Sequence, residues 1–271
     1  MTELSEELEV AVAAARAAGD LLLSRLGHKL EIDYKAGPVD LVTDADRESQ
    51  AAVTEVLLSA FPEHALLGEE GTTGDPGADD VWVVDPLDGT TNFAHGMPVY
   101  AVSIALCRDA RVVCGVVYDP SRDELFTATD GGGAACNGRP LRVSDVETLE
   151  RALLVTQVQS TDPAVIGDFL RRVERLLGVA GGVRNFGCPA LMLCAVAAGR
   201  LEGFCERAMK PWDVAAGGLI LREAGGRTTD FENGTTDALA TADLVATNGR
   251  IHDELLAVLG AEPSTTRGRA A

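Results

Sequence analysis

Residues 81–93, VWVVDPLDGTTNF, place two carboxylates, Asp85 and Asp88, three residues apart at the end of an apolar run and follow them at once with Gly89-Thr90-Thr91. Like charges held that close repel one another unless something positive lies between them, and a bound cation is one answer. The other is a turn whose aspartates cap a following helix. Three more stretches supply carboxylates where a strand should end or a helix begin: Asp40 to Asp46, Glu69-Glu70, and Asp213 in PWDVAAGG. Hard divalent cations such as magnesium take oxygen ligands and share them among carboxylates, water and substrate phosphate, so this ligand set suits magnesium. Zinc is disfavoured, because His28, His64, His95 and His252 show no ligand spacing and the six cysteines no C-x-x-C pairing. Any one of these acids alone reads as a helix cap or a solvated charge. Their combination points to a cation.

Gly89-Thr90-Thr91 adds a second requirement of phosphoryl chemistry. A glycine lets backbone approach a ligand closely, and the unpaired N–H groups at a helix start, on the positive end of its dipole, bind phosphate. In isolation the same three residues are a Thr-capped helix; joined to D-P-x-D they predict a phosphate cradle beside metal.

These groups have to be positioned by strands and helices. Val81, Trp82, Val83 and Val84 are β-branched or aromatic, as a short core strand requires, with Pro86 and Gly89 making a tight connection after it. Upstream, Leu4, Leu8, Val12, Ala15, Leu22 and Leu26 share one face of a helix that Gly27 can end. A strand pair is expected around 30–42, a helix from about Thr43 until Pro62, a short strand at Ala65 to Leu67, and a surface loop in GTTGDPGADD. YAVSIALC, RVVCGVVYDP and ELFTATD predict an antiparallel meander, with NGRP as a later turn. From residue 152 the order becomes strand (ALLVTQV), helix (163–177), strand (near Val183), helix (189–198), strand (LEGFCE), helix (Trp212 to Ala224), strands near Arg227 and Leu244, and a closing helix from Ile251 to Leu259. Mixed strands and helices favour a layered α/β fold. The change of pattern near 145 divides residues 1–145, which carry the metal and phosphate motifs, from 146–262; 263–271 read as a frayed tail.

Composition excludes several partners. A chain of 271 residues with 23 basic and 42 acidic side chains has a formal charge of -19. Such a field repels nucleic-acid backbones and anionic membranes, and an anionic substrate would need local cations to be held. The acidic start MTELSEELEV lacks the basic region of a signal peptide, and no run of about eighteen apolar residues occurs, so a soluble cytoplasmic protein with reduced thiols is expected.

The D-x-V-T-x-x-D run from Asp40 to Asp46, Glu69-Glu70 within GEE, WVVDPLDGTTNF, WDVAAG and REAGG resemble, in order and spacing, the inositol monophosphatase family of magnesium-dependent, lithium-sensitive phosphatases. The likeness spans nearly the whole chain. It implies a five-layered αβαβα sandwich of the inositol monophosphatase and fructose-1,6-bisphosphatase type, and a homodimer. Transferred by position, Glu69, Asp85 and the carbonyl of Leu87 hold a first magnesium; Asp85 bridges to a second held also by Asp88 and Asp213; a third, weaker ion leans on Glu69. Thr90, paired with Asp46, orients the attacking water, and Gly89 with Thr90 grips phosphate. Asp44 competes with Asp46 by position, but the motif's register selects Asp46, and Glu70 stands behind Glu69.

On the alcohol side the resemblance assigns Asp88, Glu206 and the loop Gly187-Cys188-Pro189, where relatives commonly have Gly, a hydroxyl residue and Ala. Pro189 has no N–H to give but suits a helix's first turn. Cys188 reads as a packed thiol, Arg184 as a structural or interface cation, and Lys210 as a solvated charge. The expected reaction is hydrolysis of inositol 1-phosphate or a similar polyol phosphate. Fructose 1,6-bisphosphate, histidinol phosphate and 3'-phosphoadenosine 5'-phosphate are the alternatives in the same class, and a regulatory role in a transcription complex the alternative in another.

Overall fold

A computed structural model of the chain describes residues 5–35, 41–75, 77–235, 239–240 and 242–260. The expectations for Leu4, Asp40 and the tail from residue 263 fall outside those residues. Helix α1 (Ser5–Arg25) precedes an antiparallel pair, β1 (Ile32–Tyr34) with β2 (Leu41–Thr43), and then α2 (Asp44–Ala60). The next elements are β3 (Ala65–Gly68), β4 (Gly71–Thr73), β5 (Asp80–Asp88), the short α3 (Thr90–Ala94), β6 (Ala101–Arg108), β7 (Arg111–Asp119), β8 (Glu124–Thr129), β9 (Gly133–Cys136) and β10 (Arg139–Pro140). Their strands make one eight-stranded sheet in the order β10-β9-β8-β7-β6-β5-β3-β4, parallel only between β3 and β5.

After a turn of 3-10 helix at Leu149–Arg151, the chain forms β11 (Leu153–Val155), α4 (Pro163–Leu177), β12 (Gly182–Arg184), α5 (Pro189–Ala197), β13 (Gly203–Met209), α6 (Pro211–Glu223), β14 (Arg227–Thr229), β15 (Ala242–Thr247) and α7 (His252–Gly260). A second sheet runs β12-β11-β13-β15-β14, with β11 parallel to both its neighbours.

Five layers result. Helices α1 and α2 cover one face of the large sheet, α5 and α6 fill the space between the sheets, and α4 and α7 cover the outer face of the small sheet. Strand β5 is buried on both faces, which is why VWVV is an unbroken apolar run rather than an alternating one. Trp82 and Val84 point toward Ala18, Leu22, Val53 and Leu57 of α1 and α2, while Val83 joins Leu193, Leu219 and Ile220 of α5 and α6 on the other side. Burying each such aliphatic side chain stabilises the fold by roughly 1.5–3 kcal/mol.

Small residues set how closely the middle helices approach. A Cβ on Gly115 of β7 would lie 3.0 Å from the carbonyl oxygen of Ala216, and one on Gly217 would lie 2.8 Å from Cβ of Leu193. Helix α6 therefore lies along a seam with β7 on one side and α5 on the other.

Several sequence-based expectations are corrected. Strand β5 does not stop at Val84; it continues through Asp88 opposite β6, with an irregularity between Asp85 and Asp88 that takes Pro86 out of the ladder where its missing N–H costs nothing. The polar tract after Glu70 is not all loop, because Gly71–Thr73 turns back as β4 onto β3. Gln50 of α2 holds that turn, accepting from Glu70 N at 2.9 Å and donating to the Gly71 carbonyl at 3.0 Å. The buried face of α1 consists chiefly of Ala11, Ala14, Ala15, Ala18 and Leu22, with Leu8, Val12 and Leu26 packed at its margin. Strand β13 starts and ends later than LEGFCE, and the first strand past 152 keeps only three residues.

His252 is wholly buried under the small sheet, its Nε2 3.0 Å from Thr229 Oγ1 and its Nδ1 2.9 Å from Thr247 Oγ1. Burial, with Arg227 nearby, pushes its pKa down to about 4. A histidine depressed in the folded state contributes stability above its unfolded pKa of about 6.5 and loses it as pH falls toward 4, about 3 kcal/mol in all. Proton NMR should find this imidazole titrating near 4; titration near 6.5 would contradict the burial argument.

Candidate active site

The carboxylates predicted from sequence come from four elements and face one region. Asp85 and Asp88 flank the irregularity in β5, whose residues 86 and 87 are tied down from two sides: Ser49 Oγ of α2 donates to the Pro86 carbonyl at 2.7 Å, and Leu87 N donates to Asp85 Oδ1 at 3.0 Å. Glu69 follows β3, and its N–H donates to the Val84 carbonyl of β5 at 3.1 Å, next to Asp85. Asp213 opens α6. Ser103, directly opposite Asp85 on β6, donates to the Trp212 carbonyl at 3.1 Å and so pins the first turn of α6 against the strand that carries the pair.

Asp46 and Asp213 are held by the same local device. Each is the third residue of its helix and reaches back to the N–H before the helix: Thr43 N to Asp46 Oδ2 at 2.8 Å, Lys210 N to Asp213 Oδ2 at 2.8 Å. The Thr43 hydroxyl adds a bond to Asp46 Oδ2 at 2.6 Å, leaving Oδ1 to Thr90. Thr90 Oγ1 stands 3.0 Å from Asp46 Oδ1 and 3.0 Å from the Leu87 carbonyl. The pairing of Thr90 with Asp46 is thus present, whereas Asp44 is engaged elsewhere, by Arg25 and by Glu31 N at 3.1 Å.

Electrostatics bind the acids into one system. Burial first, then the charges of Glu69, Asp88 and Asp213, push the Asp85 pKa well up. Asp88 is raised by burial and by Asp213. Burial raises Asp213 to about 7 and Asp46 to about 6. Lys35, at the end of β1, donates to Glu69 at 2.8 Å and also to Glu70, and these two acids outweigh the effect of its own burial to hold the ammonium above its usual range. Its charge faces several buried carboxylates of the opposite sign. An all-oxygen set with excess negative charge fits a hard divalent cation.

The tight convergence expected of Glu69, Asp85, Asp88 and Asp213 is not fully drawn in. Among the described residues no three Asp, Glu, His or Cys side chains stand as a ready-made metal cage. Each acid is instead turned by a protein donor: Glu69 by Lys35, Asp85 by Leu87 N, Asp213 by Lys210 N, and Asp88 Oδ2 by Ala190 N at 2.7 Å and the Cys188 thiol at 3.0 Å.

Gly89 caps α3 in the left-handed region (φ 91), and a Cβ there would come within 2.8 Å of the Val99 carbonyl, so only glycine fits. The first N–H groups of α3 have no partner within the helix. On the opposite side, Cys188 is fully buried, with burial and the adjacent Asp88 pushing its thiol pKa up; it is a packed donor to Asp88 and not a nucleophile. Pro189 begins α5, and the N–H it lacks is supplied one residue on by Ala190. Glu206 stands apart from the acid cluster: its oxygens accept from Gln157 N at 2.7 Å, Arg207 N at 3.0 Å and Arg172 Nη2 at 3.2 Å.

Sequence reasoning missed Lys35, Ser103 and Asn92. The Asn92 amide donates to the carbonyls of Val99 at 2.9 Å and Phe186 at 2.7 Å, tying α3 to the loop before Cys188. Asn92 lies inside the quoted motif, so its position was visible though its role was not. Nothing local marks Lys35 or Ser103, whose partners are distant in sequence.

Comparison with known proteins agrees with this architecture. The sequence profile of the Inositol monophosphatase family matches residues 3–263. An inositol-1-monophosphatase of Synechocystis sp. is 42% identical over 263 residues, 97% of this chain and 91% of that protein. A Nus factor SuhB of Pseudomonas aeruginosa is 41% identical over 259 residues, covering 93% and 95%. Among solved structures, the extragenic suppressor protein suhB from Bartonella henselae superposes with a TM-score of 0.90 at 40% identity, covering 94% of this chain and 99% of that one. An IMPase/NADP phosphatase complexed with Mg2+ and phosphate gives 0.84 at 26% identity, covering 95% and 97%.

Proposed function

Because the chain belongs to the inositol monophosphatase family, and is a phosphatase of that family, we propose that it is a magnesium-dependent phosphomonoesterase acting on inositol 1-phosphate or a related polyol phosphate. The observation that carries this reading is the Thr90–Asp46 hydrogen bond at 3.0 Å beside the buried carboxylates of Asp85 and Asp88, in a chain that matches the family over residues 3–263. Glu69, Asp85, the Leu87 carbonyl, Asp88 and Asp213 would hold two ions, with a third on Glu69; the magnesium bound in the IMPase/NADP phosphatase supports the choice of metal. When bound, magnesium supplies Lewis acidity and neutralises phosphate charge.

The chain's own groups do the rest. The Thr90 hydroxyl donates a hydrogen bond to Asp46 Oδ1 and keeps its lone pairs to accept from an O–H of the attacking water, which fixes the water's orientation. Asp46, held by both donors of Thr43 and raised to about 6, can take up a proton near neutral pH. The N–H groups of Gly89 and Thr90 would donate to phosphate oxygens at the start of α3. Asp88, Gly187, Cys188 and Glu206 would line the alcohol side, with Cys188 acting through Asp88 and not on the substrate directly.

The test is release of inorganic phosphate from inositol 1-phosphate, fructose 1,6-bisphosphate, histidinol phosphate and 3'-phosphoadenosine 5'-phosphate, with and without Mg2+. The highest kcat/KM is expected for inositol 1-phosphate and only with the metal. A preference for the nucleotide or histidinol ester by orders of magnitude would replace the substrate. A binding role in transcription draws only on the names of relatives, the Nus factor SuhB of Pseudomonas aeruginosa among them; recovery of RNA polymerase factors by a variant without phosphatase activity would establish it independently.

A further inference from the structure

Glu206 stands at a place where ligands gather in open α/β sheets. Strands β12, β11 and β13 are parallel, and the chain leaves β11 through α4 to β12 on one side, then crosses by α5 to β13 on the other. The carboxyl ends of the three strands therefore share one edge, and it is at such a divergence of connections that a crevice opens. Along this edge lie Thr156-Gln157 after β11, Gly187-Cys188 after β12 and Glu206 on β13; Cys188 touches Asp88, and Gln157 N touches Glu206.

The remaining donor to Glu206 is Arg172. Together with Leu176 it forms the buried side of α4, and its Nη2 reaches Glu206 Oε1 at 3.2 Å. Its Cζ lies 5.6 Å from the ring centroids of both Phe169 and Phe231, while Nε and Nη1, both buried, have no acceptor among the described residues. One described acceptor for three nitrogens is unfavourable for the fold, since a buried donor left unmet loses its hydration without replacement. Replacing a buried ion pair by hydrocarbon is commonly neutral or stabilising, so packing alone does not account for a guanidinium here. Fixing a carboxylate does. The planar cation, flanked by the Phe169 and Phe231 rings, holds one oxygen of Glu206, and the Gln157 and Arg207 N–H groups complete the grip from the end of β11 and from β13.

We propose that Arg172 is a positioning residue for leaving-group specificity: through its ion pair it fixes the Glu206 carboxylate that receives the hydroxyls of the alcohol portion. The inference rests on the polyol phosphate reading above.

The experiment compares kcat/KM for inositol 1-phosphate with that for 4-nitrophenyl phosphate, whose leaving group has no hydroxyl to read. It uses the full chain with Mg2+ in wild type, Arg172→Met, Arg172→Lys, Glu206→Gln and the Arg172→Met/Glu206→Gln double variant. Arg172→Met should lower the ratio of the two values at least tenfold, mainly by raising KM for the inositol ester. Arg172→Lys should restore part of the ratio, and the double variant should be no worse than Glu206→Gln alone. An equal loss on both esters, or a double variant that falls to the product of the singles, overturns the inference. Should Arg172→Met fail to fold, the lysine variant and the double variant, which removes both buried charges, give the same comparison. A wild type that cleaves 4-nitrophenyl phosphate but not the inositol ester overturns the polyol reading itself, an outcome distinct from an active polyol phosphatase whose ratio ignores Arg172.

Discussion

Asp85→Asn should cut kcat/KM for phosphate ester hydrolysis by at least about a hundredfold while making the metal-free protein more stable. The two halves of that result have one cause. Asp85 is almost fully buried, and Glu69, Asp88 and Asp213 push its pKa up, so its charge is a liability to the fold unless a cation offsets it. Asparagine keeps the shape and keeps an oxygen for the Leu87 N–H, but it removes the negative charge that bridges the proposed ions. Losing a metal-bridging carboxylate commonly costs two orders of magnitude or more in activity. Steady-state kinetics with Mg2+ and thermal unfolding in EDTA measure the two effects. Activity within tenfold of wild type, or a lower unfolding temperature in EDTA, would remove Asp85 from the centre of the site.

Metal and protons should stabilise the protein interchangeably. Asp213, half-buried, titrates at about 7 and Asp46 at about 6, against an ordinary aspartate value near 3.8. A carboxylate raised in the folded state binds its proton more tightly folded than unfolded. It therefore penalises the fold at pH above its folded pKa, and that penalty is relieved as pH falls toward the unfolded value. For Asp213 the effect is on the order of a few kcal/mol once solvent screening is allowed for. Without divalent metal, the unfolding temperature should rise as pH is lowered from 8 to 6.5; below that His252 charges in the unfolded chain while staying neutral in the fold, which opposes the gain. Saturating Mg2+ should raise the unfolding temperature at pH 8 and flatten the rise between 8 and 6.5, because ligand binding to the folded state removes the same penalty. A scanning-calorimetry series with Mg2+ and with EDTA decides the matter. Identical pH profiles in the two would mean that the acids do not form a cation site.

Much of this was legible in the sequence because it is local. The four acidic stretches, the glycine that only φ 91 explains, and the order of helices and strands all depend on residues within a dozen positions of one another. Less legible were features set by tertiary context. Strand β5 continues through Asp85 and Asp88 because β6 pairs with it and Ser49 holds the Pro86 carbonyl, which outweighs the turn tendency of Pro-Leu-Asp-Gly. Strand β4 exists because Gln50, about twenty residues earlier, holds the turn before it. Glu206 could be named by the family resemblance, yet its ion pair with Arg172 could not, since the two lie 34 residues apart and meet only when α4 packs on the small sheet.

The seam along α6 has a wider meaning. Neither Gly115 nor Gly217 touches a ligand, but together with Ala216 they set how far Asp213 stands from the pair on β5, and the gaps there are already narrower than a methyl group needs. In a library built to retarget the enzyme, the edge formed by β11, β12 and β13 offers latitude for new side chains. The seam offers none: added volume at either glycine would be transmitted as a displacement of Asp213, so positions with no chemistry of their own would mutate like those of the proposed site.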